Sequence, residues 1–248
     1  SGPHSFAEEI VMKRRLVLPT YDEINNLPLV VERVLALPEE FEILIVDDDS
    51  PDGTGHVADQ LQNQYPQRVQ VLHRKNRRGL GTAYVEGFLL SLQEEYDQLF
   101  QMDCDLSHRP EDLSRLASKL DTFDVVLGSR YIPGGSVQGW AYPRRIISRF
   151  GSLYARTLLK LSVHDATGGF RAFRRGALEA IDLNRVVSQG YAFQVEIAYR
   201  AQNRQLALTE IPICFIERET GQSKMSFPIA LEAAWKIPLL PRILRQQK

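Results

Sequence analysis

Cysteine is scarce in this chain, and that is its first constraint. Among 248 residues only Cys104 and Cys214 carry a thiol. Two thiols do not make the disulfide framework of a small secreted scaffold, and no signal peptide is legible, so a reduced, cytoplasmic setting is the expectation. Charge of one sign is lacking too. Lys and Arg number 30 against 31 Asp and Glu, a formal net charge of -1. That removes the global basic field by which proteins hold nucleic acid, and no nucleic-acid partner is expected. Long apolar runs are also missing. The nearest, Ile229 to Leu244, is broken by Glu232, Lys236, Pro238, Pro241 and Arg242. A membrane span needs about 20 apolar residues. No transmembrane segment is therefore expected, although the chain is free to lie on a bilayer. Internal repeats, low-complexity tracts and composition shifts are absent as well, which argues for one large domain.

What is present is an ordinary globular balance, 44% hydrophobic and 25% charged. Apolar runs alternate with helical periodicity. Strands are predicted at 15–18, 41–46, 69–73, 98–102 and 124–128. Helices are predicted at 23–37 (Asp22 near its cap), 54–64 (capped by Thr54), 81–96 and 110–120. Strand–helix alternation at this spacing implies βαβ units, hence an α/β fold with a mostly parallel central sheet flanked by helices. Residues 1–14 read as a disordered or expression-derived leader, 15–226 as the catalytic domain, and 227–248 as a separate amphipathic segment.

The most informative feature is Asp103-Cys104-Asp105, at the end of the apolar run Leu99 to Met102. Two carboxylates so close repel unless a cation lies between them, and hard oxygen ligands suit Mg²⁺ or Mn²⁺ carried with phosphates. Taken alone, the pair reads more readily as two solvated turn aspartates. Its surroundings argue for a site. Thr20-Tyr21 and Asp47-Asp48 also follow predicted strands, and parallel strands deliver all such groups to one edge. His73, His108 and His164 lack metal-ligand spacing and read as structural or solvated. Gly79-x-Gly81 lacks the remainder of a dinucleotide fingerprint.

These groups stand among motifs in a fixed order. They are Val17-Leu18-Pro19-Thr20-Tyr21-Asp22-Glu23, Val46-Asp47-Asp48-x-Ser50-Pro51-Asp52-Gly53-Thr54, Gly79-Leu80-Gly81-Thr82-Ala83, Asp103-x-Asp105-Leu106-Ser107-His108, Gly128-Ser129-Arg130-Tyr131, Thr167-Gly168-Gly169-Phe170-Arg171, Gly190-Tyr191-x-Phe193-Gln194 and Gly221-Gln222-Ser223-Lys224. Through them the chain, from about Leu16 to Ser226, resembles the dolichol-phosphate (polyprenol-phosphate) mannose synthases, inverting family 2 glycosyltransferases of GT-A (Rossmann-like) fold. The resemblance implies a GDP-mannose donor and a polyprenyl or dolichyl phosphate acceptor. It implies Pro19, Tyr21, Glu23, Asp47 and Asp48 on guanine and ribose. Asp103 and Asp105 would hold Mg²⁺ or Mn²⁺ on the donor diphosphate, and Arg218, Ser223 and Lys224 would close over it. Arg130, Arg144 and Ser148 would hold the acceptor phosphate. Some relatives carry Gln where this chain has Ser107, which leaves the third protein ligand open. Asp105, Arg130 and Arg144 are the expected catalytic groups. A phosphate monoester, with a second pKa of about 6, is already ionised at neutral pH and needs no dedicated base. A sugar-hydroxyl acceptor would need one, with Asp165 and Glu196 as candidates. UDP-glucose as donor, a soluble acceptor, and a non-catalytic nucleotide-sugar-binding role are the alternatives.

Finally, no acid occurs between Ser136 and His164. As a helix, 144–162 would place Arg145, Arg149, Arg156 and Lys160 on one stripe. Ile147, Phe150, Tyr154, Leu158 and Leu161 would fall on another face, flanked by Trp140 and Tyr142. That pattern reads either as an interfacial helix on the cytoplasmic membrane face or as a core helix with a solvated basic side. The tail after Glu232 is acid-free as well, and its prolines argue against a continuous helix. It reads as a docking segment for lipid or for a membrane-anchoring protein.

Overall fold

A computed structural model describes residues 12–75, 79–217 and 235–247. In the first half, strands and helices alternate as β1 (Arg14–Thr20), α1 (Leu27–Leu35), β2 (Phe41–Asp47), α2 (Thr54–Gln64), β3 (Val69–His73), α3 (Leu80–Leu92), β4 (Gln98–Gln101), α4 (Asp112–Lys119) and β5 (Val125–Ser129). The second half adds β6 (Ser136–Gln138), α5 (Tyr142–Leu159), β7 (Arg171–Arg174), α6 (Arg175–Ile181), α7 (Gly190–Asn203), β8 (Leu208–Pro212), β9 (Cys214–Ile216) and α8 (Leu240–Gln246). One seven-stranded sheet runs β3-β2-β1-β4-β7-β5-β8, and β6 pairs with β9 beside it. Strand β7 alone is antiparallel to its neighbours in the large sheet.

Both faces of the sheet are covered. Leu16, Leu18, Ile43 and Ile45 point into the layer that holds Val30, Val34 and Leu116. Val17, Leu44 and Val46 point into the layer that holds Tyr84, Phe88, Phe193 and Ile197. A strand buried on both faces reads as a continuous apolar run, which is why β1 and β2 are so legible in the sequence.

Several boundaries move. β1 begins at Arg14, and the carbonyl of Lys13 accepts from Asp97 and Gln98, so residues 12–14 belong to the fold rather than to a leader. The first helix starts at Leu27 with Asn26 as its cap residue, and Asp22 instead takes a left-handed conformation. Gly53, not Thr54, caps α2. The Thr54 hydroxyl donates to Asp52 Oδ1 and accepts from the Glu23 N–H, tying the end of β1 to α2.

α5 spans 18 residues, and its protein-facing stripe is Ser152, Ala155 and Leu159. Its apolar residues Tyr142, Ile146, Ile147, Phe150, Leu153, Tyr154 and Leu158 are all exposed, Phe150 by 64%. The core-helix reading therefore does not hold. Two expected members of the outer surface are buried: Leu161 lies beyond the helix end in the core, and Trp140 packs edge-on against Phe215. Among the described tail residues, Ile237 and Leu240 join the core beside α5 and α7. Pro241 falls in the first turn of α8, where a missing N–H costs nothing, so the prolines permit a short helix. No described helix is long and apolar enough to cross a membrane.

Candidate active site

Strands β1, β2 and β4 are parallel and adjacent, so their C-terminal ends deliver Thr20, Asp47 and Asp103 to one edge. β5 runs the same way and adds Arg130. The convergence expected from the sequence is therefore present.

Each carboxylate at this edge is held by named donors. Asp47 Oδ1 accepts from the Ser50 hydroxyl at 2.6 Å and from Thr20 at 3.1 Å. Asp48 Oδ1 accepts from Arg74 Nη1 at 2.6 Å, and its Oδ2 from the Gly79 N–H at 3.0 Å. Burial raises the Asp48 pKa, and these two donors offset only part of that. Arg74 also binds Glu86 and Thr82, so it fixes the approach to α3. Pro19 is buried within β1, Glu23 is buried with Oε2 accepting from Asn26, and Tyr21 is half-buried.

At the end of β4, Asp103 Oδ1 accepts from the Tyr84 hydroxyl at 2.8 Å. Tyr84 is fully buried on α3 and stacks against Phe193. Its pKa lies well above the ordinary value, through burial first and the negative field of Asp103 and Asp105 second. Asp105 Oδ1 accepts from both the backbone N–H and the hydroxyl of Ser107. Ser107 thus orients Asp105. A Cβ on Gly169 would lie 3.3 Å from Asp103 Oδ2, so glycine there keeps the space beside that oxygen clear.

An all-oxygen pair, with one oxygen of each carboxylate pinned and a concentrated negative field, fits a hard divalent cation. Among the described residues no group of three or more His, Cys, Asp or Glu side chains stands ready to hold a metal alone. Two protein carboxylates, completed by water and phosphate oxygens, is the manner in which Mg²⁺ is usually bound.

Across the same edge sits a basic cluster. Arg130 donates from its backbone N–H and Nε to Asp165 Oδ2, at 3.0 and 2.7 Å, and from Nη2 to Asp165 Oδ1 at 2.7 Å. Burial alone would raise the Asp165 pKa, but the facing guanidinium holds it below the usual carboxylate range. Arg144 donates to Glu217 Oε1 at 2.8 Å and lies over the Trp140 ring at 4.2 Å. The Ser148 hydroxyl receives the Tyr131 hydroxyl at 2.7 Å, and Tyr131 lies beneath Arg130. Arg130, Arg144 and Ser148 thus come together, with the two arginines each neutralised by a carboxylate. Arg218, Ser223 and Lys224 lie outside the described residues.

Sequence reasoning assigned no role to three groups that organise this edge: Arg74, Tyr84 and Arg171. Arg171 is fully buried and donates to the carbonyls of Ala166, Gly168 and Gln194, pinning the loop that carries Asp165 and Gly169. Burial lowers its pKa to about 10. It sits within a quoted motif, but nothing in spacing distinguishes a buried arginine from a solvated one.

A mostly parallel sheet with a carboxylate pair at the end of β4 and a polar edge formed by β1 and β2 defines a glycosyltransferase of GT-A type. The fold matches a solved glucosyl-3-phosphoglycerate synthase from Mycobacterium tuberculosis, in complex with Mn²⁺, UDP-glucose and phosphoglyceric acid. The TM-score is 0.68 at 15% identity, covering 94% of this chain and 80% of that one. The chain belongs to glycosyl transferase family 2, whose model matches residues 16–182. It is 48% identical over 223 residues to a polyprenol monophosphomannose synthase of Mycolicibacterium smegmatis, covering 90% of this chain and 84% of the relative. It is 46% identical over 222 residues to an undecaprenyl-phosphate mannosyltransferase of Micrococcus luteus, covering 90% and 91%.

Proposed function

We propose that this protein transfers mannose from GDP-mannose to a polyprenyl phosphate, with inversion at the anomeric carbon, at the cytoplasmic face of a membrane. The observation that carries this reading is the juxtaposition of a carboxylate pair with two arginines on one sheet edge, in a chain nearly half identical to polyprenol-phosphate mannosyltransferases.

On this reading Pro19, Tyr21, Glu23, Asp47 and Asp48 form the guanine and ribose end. Asp48 acts there largely through Arg74 and Gly79, which already occupy its oxygens. Asp103 and Asp105 would hold Mg²⁺ or Mn²⁺, whose chemistry is to neutralise charge on the departing diphosphate. Arg144 and Arg130 would receive the acceptor phosphate and place its oxygen against the anomeric carbon, a task suited to the planar guanidinium fork. Ser148 would add a hydroxyl contact, and Arg218, Ser223 and Lys224 would close the diphosphate side.

Both carboxylates considered as a base for a sugar-hydroxyl acceptor are engaged elsewhere, and a phosphate nucleophile needs neither. Asp165 is bound by Arg130. Glu196 is fully buried and accepts from the N–H groups of Val187 and Ser188 and from Arg200 Nε. Neither carboxylate is placed to take a proton from a sugar hydroxyl, which weighs against the soluble-acceptor alternative.

α5 gives the lipid acceptor a landing surface. Its outer face is apolar, and the exposed Arg145, Arg149 and Lys160 lie along one margin of that face. Each basic residue near an anionic leaflet contributes about 1 kcal/mol. Trp235, 76% exposed at the start of the described tail, adds an interfacial aromatic. On this reading a membrane-anchoring protein would dock on the same surface and on the tail.

The test is product analysis with wild type and Asp105→Ala. The reading expects β-mannosyl phosphate from the α-linked donor, and turnover abolished by the substitution with the fold retained. Turnover that survives Asp105→Ala removes the metal step, and a retained anomeric configuration removes single displacement.

A further inference from the structure

We propose that Glu217 is an internal stand-in for the acceptor phosphate, neutralising Arg144 until a phosphate dianion displaces it. The proposal rests on the acceptor-site reading above and concerns how that site is regulated.

Charge pairing leads to it. Among the described residues each of the two arginines assigned to the acceptor phosphate is paired with one carboxylate, Arg130 with Asp165 and Arg144 with Glu217, while the buried Arg171 and the carboxylate of Glu210 lie behind Asp165. A dianion that approaches either arginine meets the carboxylate already held against it. One carboxylate has to withdraw, and the two differ sharply in their freedom to do so. Asp165 is fully buried, accepts three bonds from Arg130, and has its backbone N–H held by Glu210 Oε1 at 2.9 Å. Glu217 has a side chain 40% exposed and meets Arg144 through Nη1 at 2.8 Å.

Glu217 is not needed to orient Arg144, because the Trp140 ring already lies against that guanidinium. Its position is nonetheless built into the fold. The Glu217 N–H donates to the Gln138 carbonyl at 3.0 Å, extending the β6–β9 pairing. Gly139, at φ +83°, lies so close that a Cβ there would come within 2.6 Å of Glu217 Cβ. The backbone thus brings the carboxylate to Arg144 while the side chain stays free to swing into solvent. A phosphate carrying two charges competes well against a single half-exposed carboxylate.

The test is acceptor kinetics with polyprenyl phosphate and GDP-mannose, comparing wild type, Glu217→Gln and Glu217→Ala, with Arg144→Gln as reference. Removing the competing charge should lower the acceptor KM about two- to five-fold, the range a half-exposed ion pair spans. It should leave kcat and the donor KM near wild type and lower the inhibition constant of inorganic phosphate in parallel. Using two Glu217 variants guards against a folding defect in either. An unchanged acceptor KM in both overturns the proposal, and a raised KM shows instead that Glu217 positions Arg144. If Arg144→Gln leaves the acceptor KM untouched, the acceptor-site reading falls and the proposal with it. If Arg144→Gln raises KM while neither Glu217 variant lowers it, only the displacement idea falls.

Discussion

Replacing Asp165 by Asn should destabilise this protein more than almost any other single isosteric change. The side chains of Arg130 and Asp165 are only 6% and 0% exposed, and they share two contacts of 2.7 Å. Asn keeps the shape and one acceptor oxygen but removes the charge. Arg130 cannot shed its proton in response, because a guanidinium stays charged in proteins. A buried cation is then left without its counterion, a situation that costs about 3–5 kcal/mol. For a chain of this size, 1 kcal/mol moves the melting temperature by about 2–4 °C, so a fall on the order of 10 °C is expected. Thermal and urea unfolding followed by circular dichroism would measure it. The double replacement Arg130→Met with Asp165→Leu should be less destabilised than Asp165→Asn alone, since an apolar pair leaves no orphaned charge. A loss below about 1 kcal/mol for Asp165→Asn, or a double variant worse than the single, would refute the reasoning.

The same pair sets an acid limit. The Asp165 carboxyl titrates below its ordinary 3.8, so its stabilisation is complete above that value and is lost as pH falls through the depressed one. Unfolding curves between pH 5 and about 2 should fall more steeply for wild type than for Asp165→Asn. Tyr84→Phe keeps the ring stacked on Phe193 and deletes the bond to Asp103. Mn²⁺ titrated against the protein with GDP should bind about 10-fold more weakly, as for other supports of metal ligands, and equal affinity would show that the hydroxyl is dispensable. Phe150→Glu on the outer face of α5 should leave the melting temperature within a degree or two of wild type. The same variant should bind anionic vesicles markedly less in a flotation assay, and undiminished binding would place the membrane contact elsewhere.

The first half of the fold is legible because its physics is local. β1, β2 and β3 carry apolar runs bounded by turn residues, and α2 matches its expected limits at both ends. The site edge was legible for the same reason, since parallel strands leave their polar residues at one end. β7 was not, because Arg171-Ala172-Phe173-Arg174 looks like a charged turn. Its arginines are accommodated by a buried set of carbonyls around Arg171 and by Leu120 O at Arg174 Nε. Long-range pairings such as Arg130 with Asp165 and Arg144 with Glu217 join residues 35 and 73 positions apart, and no periodicity encodes them. The α5 pattern showed an amphipathic helix but not which side faces the protein. The small residues Ser152 and Ala155 settle that, since they allow α5 to sit close while its larger apolar groups point outward.

The most direct test of the central claim is transfer of radiolabelled sugar into an organic-extractable lipid. Polyprenyl phosphate would be supplied, GDP-mannose compared with UDP-glucose, and Mg²⁺ or Mn²⁺ either present or chelated. The account predicts mannolipid from GDP-mannose only, formed only while the cation is available. Glucolipid from UDP-glucose, mannolipid formed equally well under chelation, or nucleotide-sugar binding by folded protein without any lipid product would contradict it.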